Sequence, residues 1–205
     1  MKTGFHISID GSNFSGKTSV IDSFSTRMKE QESLVDVSRG VSESLIGKFI
    51  NINIDTINQN PQAFALLIAA DKYFSHGKYI ASKIERGTFL ISDRYLLSSF
   101  AYQYLDGMPF DFTWNLYESF PKPDLNILLM VSSKALTERM KGRREPLSNT
   151  ELKFSRENEM QAFIQAANYL VLKGLNIVQI ENETRPVAET VSQIMSVLTE
   201  HYPRK

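Results

Sequence analysis

The chain has 205 residues and a formal net charge of zero, enough for one sizeable core but without a global field that would draw it to nucleic acid or a membrane surface. Hydrophobic residues make up 42% and charged residues 22%, the usual mix of a globular protein, and no stretch approaches the ~20 apolar residues of a membrane helix. Cysteine is absent, which excludes disulfides, thiolate metal sites and cysteine catalysis and fits a reducing cytoplasm.

Apolar runs alternate with helical periodicities, which predicts a single α/β domain with a parallel sheet and crossover helices. The first predicted strand covers residues 5–10, and Met1-Lys2-Thr3-Gly4 runs straight into it, leaving no room for a signal peptide. Next comes Gly11-Ser12-Asn13-Phe14-Ser15-Gly16-Lys17-Thr18, which spells G-x-x-x-x-G-K-T, followed by Ser19 and a helical stripe of Val20, Ile21, Phe24 and Met28. Strand, glycine loop and helix is the context of a phosphate-binding loop. Its backbone N–H groups and the positive end of the helix attract phosphate oxygens. Lys17 would reach the β- and γ-phosphates, and the Thr18 hydroxyl would hold Mg²⁺.

A second strand is predicted at 34–37. Phe64, Leu67, Ile68, Phe74, Ile80 and Ile84 mark one long helix before a third strand at 88–92. The third strand and a fourth at 125–131 are nearly continuous apolar runs, as expected where both faces are covered. Met160, Phe163, Ile164, Ala167, Leu170 and Val171 form another helix, ended by Gly174; a fifth strand follows at 176–180. Pro186 opens the last helix, with Val187, Val191, Ile194 and Leu198 along one stripe. His6, His76 and His201 show no metal-ligand spacing.

Two segments stand out. Asp93-Arg94-Tyr95-Leu96-Leu97-Ser98-Ser99-Phe100-Ala101-Tyr102-Gln103 follows the third strand, at the sheet edge where open α/β folds bind ligands. Asp93 can hold the hydration shell of Mg²⁺ or orient Lys17 and Thr18, and Arg94 can take a second phosphate. Ser98, Ser99, Tyr102 and Gln103 offer a polar face to a sugar and base. Asp93 can equally cap the helix that follows, with Arg94 a solvated charge. The second segment, residues 141–150, is polar and basic and carries Gly142, Arg143, Arg144 and Pro146. It reads either as an exposed connection or as a lid, at about 141–151, whose arginine forks close over phosphates.

The pattern D-R-Y-x-x-S-x-x-A-Y-Q downstream of the glycine loop resembles the thymidylate kinases. Pro123-Asp124-Leu125, Val131-Ser132 and Glu138-Arg139 occur in the same order as in that family. The resemblance implies a P-loop nucleoside monophosphate kinase: a five-stranded parallel sheet flanked by helices, with a short arginine-containing lid. It implies transfer of the ATP γ-phosphoryl group, with Mg²⁺, to a 5′-monophosphate, and a homodimer packed through helices. Carried over, Lys17 and Thr18 match the ATP and metal positions, and Arg94 matches the arginine on the acceptor phosphate. Ser98, Ser99 and Tyr102 match positions around the acceptor, with Asp10 and Gln103 beside them. Arg139 matches an arginine against adenine. Where some relatives place a catalytic arginine in the loop this chain has Phe14, so Arg143 and Arg144 would supply that charge.

The chain departs from the family around the acceptor. Asn13 stands at the acidic position of the loop, Ile68 at the stacking phenylalanine, and Lys72 at the arginine that reads a thymine carbonyl. The segment after the second strand is reduced to Ser38-Arg39-Gly40-Val41. Isoleucine removes base stacking and lysine lacks the planar fork. Three functions are therefore carried forward. One is a monophosphate kinase, with dTMP (thymidine 5′-monophosphate) favoured as acceptor over a different nucleotide-like monophosphate because Ser98, Tyr102 and Gln103 persist. The second is a deoxynucleoside kinase with Glu43 as the candidate base. The third is an ATP-binding regulatory protein without turnover. A guanine-reading N-K-x-D sequence is absent.

Overall fold

The computed structural model describes residues 4–32 and 34–201; the predicted run-in at Met1, Lys2 and Thr3 lies outside the described residues. The strands are β1 (Phe5–Asp10), β2 (Val35–Arg39), β3 (Phe89–Asp93), β4 (Leu125–Met130) and β5 (Ile177–Glu181). They form one parallel sheet in the order β2-β3-β1-β4-β5. The helices in the first half of the chain are α1 (Lys17–Lys29), α2 (Leu45–Ile57), α3 (Pro61–Ser75), α4 (Ala81–Glu85) and α5 (Leu96–Leu105). The second half adds α6 (Phe110–Tyr117), α7 (Ser133–Lys141), α8 (Asn149–Leu152), α9 (Arg156–Leu172) and α10 (Val187–His201).

The central strand β1 is buried throughout, so its side chains serve both faces of the sheet. On one face Phe5, Ile7 and Ile9 meet Val20, Ile21, Phe24 and Met28 of α1 and Val191, Ile194 and Leu198 of α10. On the other, Leu128 packs with Leu96, Leu97 and Phe100 of α5, Tyr117 of α6, and Phe163, Ala166 and Leu170 of α9. Two polar side chains of β1 on that second face, His6 and Ser8, are paired within the sheet. His6 Nε2 and Ser92 Oγ are 2.9 Å apart, and Ser8 Oγ donates to Asn126 Oδ1 at 3.0 Å. These pairings offset the cost of burying polar groups.

Class, strand number and strand sequence positions agree with expectation, but several details differ. β2, β3 and β5 each begin one residue later than predicted and extend past the apolar run, because ladder pairing continues where burial stops. Asp93 therefore lies inside β3, opposite Ile9 of β1. β4 stops at Met130, one residue short. The single long helix expected over 64–84 is present as an uninterrupted helical run, α3, a π turn at His76–Ile80 and α4. Val171 is 51% exposed, so the buried stripe of α9 ends at Leu170. The stripes do not announce α2, whose start is capped by Ser44 Oγ accepting from Gly47 N, nor α6.

Candidate active site

β1, β3 and β4 end side by side, and the loops that leave them build the site. The phosphate loop needs glycine at two places. Gly16 has φ +85°, and a Cβ there would lie 2.9 Å from Asn182 Nδ2; at Gly11, φ +156°, it would lie 2.9 Å from Leu129 O. The loop is braced from behind. Asn182 Nδ2 donates to Ser15 O at 2.6 Å, and Thr190 Oγ1 holds Asn182 Oδ1 at 2.7 Å. Lys17 is buried and donates to Gly11 O at 2.9 Å and Ser12 O at 2.7 Å. Burial, and then the nearby Arg94 charge, hold its ammonium well below the usual lysine range, against the pull of Asp93, Asp10 and Glu159.

A cavity of about 490 Å³ opens on this loop, lined by Asn13, Phe14, Gly16, Lys17, Thr18, Ser19, Asp93, Arg94, Arg139, Arg143 and Glu151. Burial pushes the Asp93 carboxyl up, opposed by Lys17 and Arg94. Arg139 donates to Asn182 O at 2.7 Å, Glu183 O at 2.9 Å and Phe14 O at 3.3 Å. Of the candidate lid arginines, Arg143 reaches the cavity and pairs with Glu151 and Glu145. Arg144 is exposed and lines neither this cavity nor the next. The lid segment contains the short helix α8, closed by a capping box between Ser148 and Glu151.

The second cavity, about 260 Å³, is bordered by Gly40, Val41, Phe64, Ile68, Lys72, Ser98, Ser99, Tyr102, Gln103 and Phe154 among others. Asn13 and Arg94 line both cavities. Arg94 adopts φ +66°, an unusual conformation for a bulky residue. It donates to Asn13 Oδ1 at 2.8 Å and to Gly11 O and Tyr102 Oη at 3.3 Å. Lys72 Nζ sits 5.3 Å from the centre of the Tyr95 ring. Burial lowers its affinity for a proton, opposed by Asp10 and Asp71.

Some expected residues serve the scaffold. Asp10 lines neither cavity. Its Oδ1 accepts from Tyr95 N at 2.9 Å, Ser98 N at 3.0 Å and Ser98 Oγ at 2.6 Å. The cap of α5 is thus Asp10, and the alternative of Asp93 as the cap is corrected: a carboxylate at the end of the adjacent strand is better placed over those N–H groups. Arg39 lies outside both cavities, paired with Asp22 and 3.8 Å from Asp93 Oδ2. Ser99 Oγ donates to Tyr95 O at 3.2 Å, and Gln103 Oε1 accepts from Thr113 Oγ1 at 2.9 Å. Glu43 is exposed and lines neither cavity.

Sequence reasoning missed Glu159, Arg156 and Asn182. Glu159 is fully buried and accepts from Asn13 N at 3.0 Å and Asn13 Nδ2 at 2.8 Å. Arg156 lies 3.4 Å from Glu159. Nothing in the local sequence signals the contacts of Glu159 and Asn182 with the phosphate loop, which span 146 and 167 positions. Arg156 and Glu159, a charged pair three apart in the first turn of the helix, were a local hint only to each other.

Two cavities that share an arginine wall beside a glycine loop, on a five-stranded parallel sheet, are the arrangement of a P-loop nucleoside monophosphate kinase. Comparison with known proteins agrees: the thymidylate kinase family model matches residues 9–194. A Pyrococcus abyssi protein named "Probable thymidylate kinase" is 29% identical over 95% of this chain and 96% of its own length. Proteins of the same name from Pyrococcus horikoshii and Caldivirga maquilingensis are each 30% identical, covering 82% and 67% of this chain and 82% and 68% of their own lengths. The chain belongs to the thymidylate kinase family. Among the described residues no helix is long and apolar enough to cross a membrane.

Proposed function

We propose that this protein transfers the γ-phosphoryl group of ATP to dTMP, giving ADP and dTDP. One observation carries the reading beside the family: Asn13 and Arg94 form a wall common to the phosphate-loop cavity and the smaller cavity. An acceptor phosphate held at Arg94 from the smaller side would face the γ-phosphate across that wall. An acceptor phosphate oxygen attacks γ-phosphorus in line, the bond to the β–γ bridging oxygen breaks, and ADP leaves. Lys17, Arg94 and Arg143 supply cations around the moving group, and positioning contributes most of the rate.

Mg²⁺ fits the chemistry of the donors. The Thr18 hydroxyl and the Asp93 carboxylate line the same cavity, and among the described residues no group of three or more His, Cys, Asp or Glu is placed to hold a metal. A hard cation held by few protein oxygens and by substrate phosphates suits that set; when bound it would neutralise charge developing on the phosphates. Arg139 would flank adenine. Ile68 would border the acceptor base without stacking, and Lys72 would donate to one of its carbonyls. We also infer a homodimer, supported by Leu45, Phe49 and Ile52, spaced along one face of α2 and exposed by 84%, 51% and 81%. The lack of cysteine supports a cytoplasmic setting.

The test is ADP production from ATP and Mg²⁺ against a panel of nucleosides and nucleoside monophosphates. Turnover with dTMP supports the reading. Turnover with thymidine alone would make the protein a deoxynucleoside kinase, for which Glu43 is badly placed, and turnover with none would make it regulatory. Lys17→Ala should lower kcat about a hundredfold or more with the fold intact by circular dichroism; near-normal activity would sink the assignment.

A further inference from the structure

The phosphate loop carries a phenylalanine where its backbone is least suited to one. Phe14 has φ +64°, a left-handed conformation that bulky side chains adopt rarely and at a cost. Its ring belongs to neither buried apolar cluster; it stands on the wall of the phosphate-loop cavity. Two guanidinium groups lie against it, Arg156 with Cζ 5.3 Å from the ring centre and Arg143 with Cζ 5.9 Å. Both distances fall within the range of a cation–π contact.

The two arginines are held differently. Arg156, the first residue of α9, is buried, donates to Glu151 O at 2.6 Å and to the carbonyl of Phe154, and faces Glu159. Arg143 comes from the lid and, among the described residues, is otherwise paired with the carboxylates of Glu145 and Glu151. The same cavity is lined by Lys17, Arg94 and Arg139 beside the carboxylates of Asp93 and Glu151, so another cation brought to it meets repulsion from three like charges that two carboxylates only partly balance. An aromatic face, negative at its centre, offsets part of that repulsion and fixes the plane of the fork.

We propose that Phe14 is a positioning residue for phosphoryl transfer: its ring seats the lid arginine Arg143 over the phosphate cavity, with Arg156 as the fixed second cation. The loop position thus supplies cationic charge by collecting it from the lid. An arginine already oriented before transfer needs no reorganisation as charge develops. The inference rests on the reading that this cavity holds the ATP phosphates.

The test uses the full chain with Phe14→Gly, which relieves the backbone and removes the ring, Phe14→Leu, which keeps bulk without a π face, and Phe14→Trp, which keeps the face. Amide hydrogen exchange over residues 141–154, without nucleotide, should quicken in Phe14→Gly and Phe14→Leu and stay near wild type in Phe14→Trp. In turnover with ATP and dTMP, Phe14→Gly should lower kcat about tenfold with KM for ATP changed by no more than about twofold. Arg143→Ala should cost much less in the Phe14→Gly background than in wild type. Unchanged lid exchange in both Phe14→Gly and Phe14→Leu, or kinetic losses that multiply independently, overturns the proposal. A wild-type protein without monophosphate kinase activity overturns the functional reading instead, and lid exchange then decides alone whether Phe14 seats the lid.

Discussion

Glu159 holds Asn13 with both carboxylate oxygens, Oε2 on the backbone N–H at 3.0 Å and Oε1 on the side-chain amide at 2.8 Å. Asn13 Oδ1 in turn accepts from Arg94 at 2.8 Å. Helix α9 is thereby tied to the phosphate loop, and the loop to the arginine shared by both cavities. Glu159 itself lines neither cavity and acts on the loop from behind, through Asn13.

Glu159→Gln leaves one acceptor oxygen where two are used and turns an amide against Asn13. Urea denaturation should show a loss of about 1–3 kcal/mol. Burial raises the Glu159 carboxyl above its ordinary 4.5, opposed first by Arg156. A carboxyl raised in the fold contributes stability that is complete below 4.5 and is lost as pH rises through its folded value. The wild type should therefore lose stability more steeply than the variant on going from acid to neutral pH. Parallel curves would contradict the assignment.

Lys72 offers a test of acceptor reading. It is half-buried on the wall of the smaller cavity, and among the described residues its ammonium has a ring contact with Tyr95 and no ion pair. Its depressed proton affinity means that the uncharged form takes over below the ordinary 10.5. If the ammonium donates to the acceptor base, kcat/KM for dTMP should fall as pH rises through that lowered value. Lys72→Arg, which stays charged, should be flat there. The same shift predicts that Lys72→Met is at least as stable as wild type at neutral pH, because a partly desolvated charge is removed. A break at or above 10.5, or the same break in Lys72→Arg, would argue against this role.

The donor half of the site was legible in the sequence because it is local. Gly11, Gly16, Lys17 and Thr18 are contiguous, and backbone geometry demands glycine at two of them. Arg94 was legible because it follows a strongly apolar strand. The acceptor half was harder to read, since its walls come from α3, α5 and the segment before α9. Asp10 shows the limit: the resemblance set it beside the acceptor positions, and one sequence does not show that its carboxylate spans to α5 and caps it. Asn182 and Glu159 act across 167 and 146 positions of sequence, distances over which one sequence carries no pairing signal.

The inferred dimer makes a direct prediction. Leu45 and Ile52 are largely exposed on α2, so replacing both by aspartate should leave the fold intact. In sedimentation velocity the variant should run as a monomer where wild type runs as a dimer. Two like charges introduced into an apolar contact cost several kcal/mol across a symmetric interface, about enough to dissociate a micromolar dimer. Identical sedimentation of the two proteins would remove this face from consideration.

Lys153 ties the segment after the lid to the floor of the acceptor cavity. Its ammonium lies 2.6 Å from Asp106 Oδ1 and donates to Asn58 Oδ1 at 2.8 Å. It thus bridges the ends of α5 and α2, while Asn149 Nδ2 reaches Asp55 Oδ1 at 3.1 Å. Phe154, the next residue, lines the cavity. Asp106 is 7% exposed and Lys153 28%, so this pair is less screened than a surface ion pair and leaves a shielded carboxylate when broken. Lys153→Ala should loosen the cover of the acceptor cavity without touching the phosphate loop. KM for dTMP should rise about fivefold, the kinetic equivalent of ~1 kcal/mol, with kcat and KM for ATP little changed. Lys153→Arg should recover most of the loss, because the longer fork can still span Asp106 and Asn58. If Lys153→Ala instead lowers kcat and leaves KM for dTMP unchanged, the bridge acts on the transfer step and not on acceptor retention.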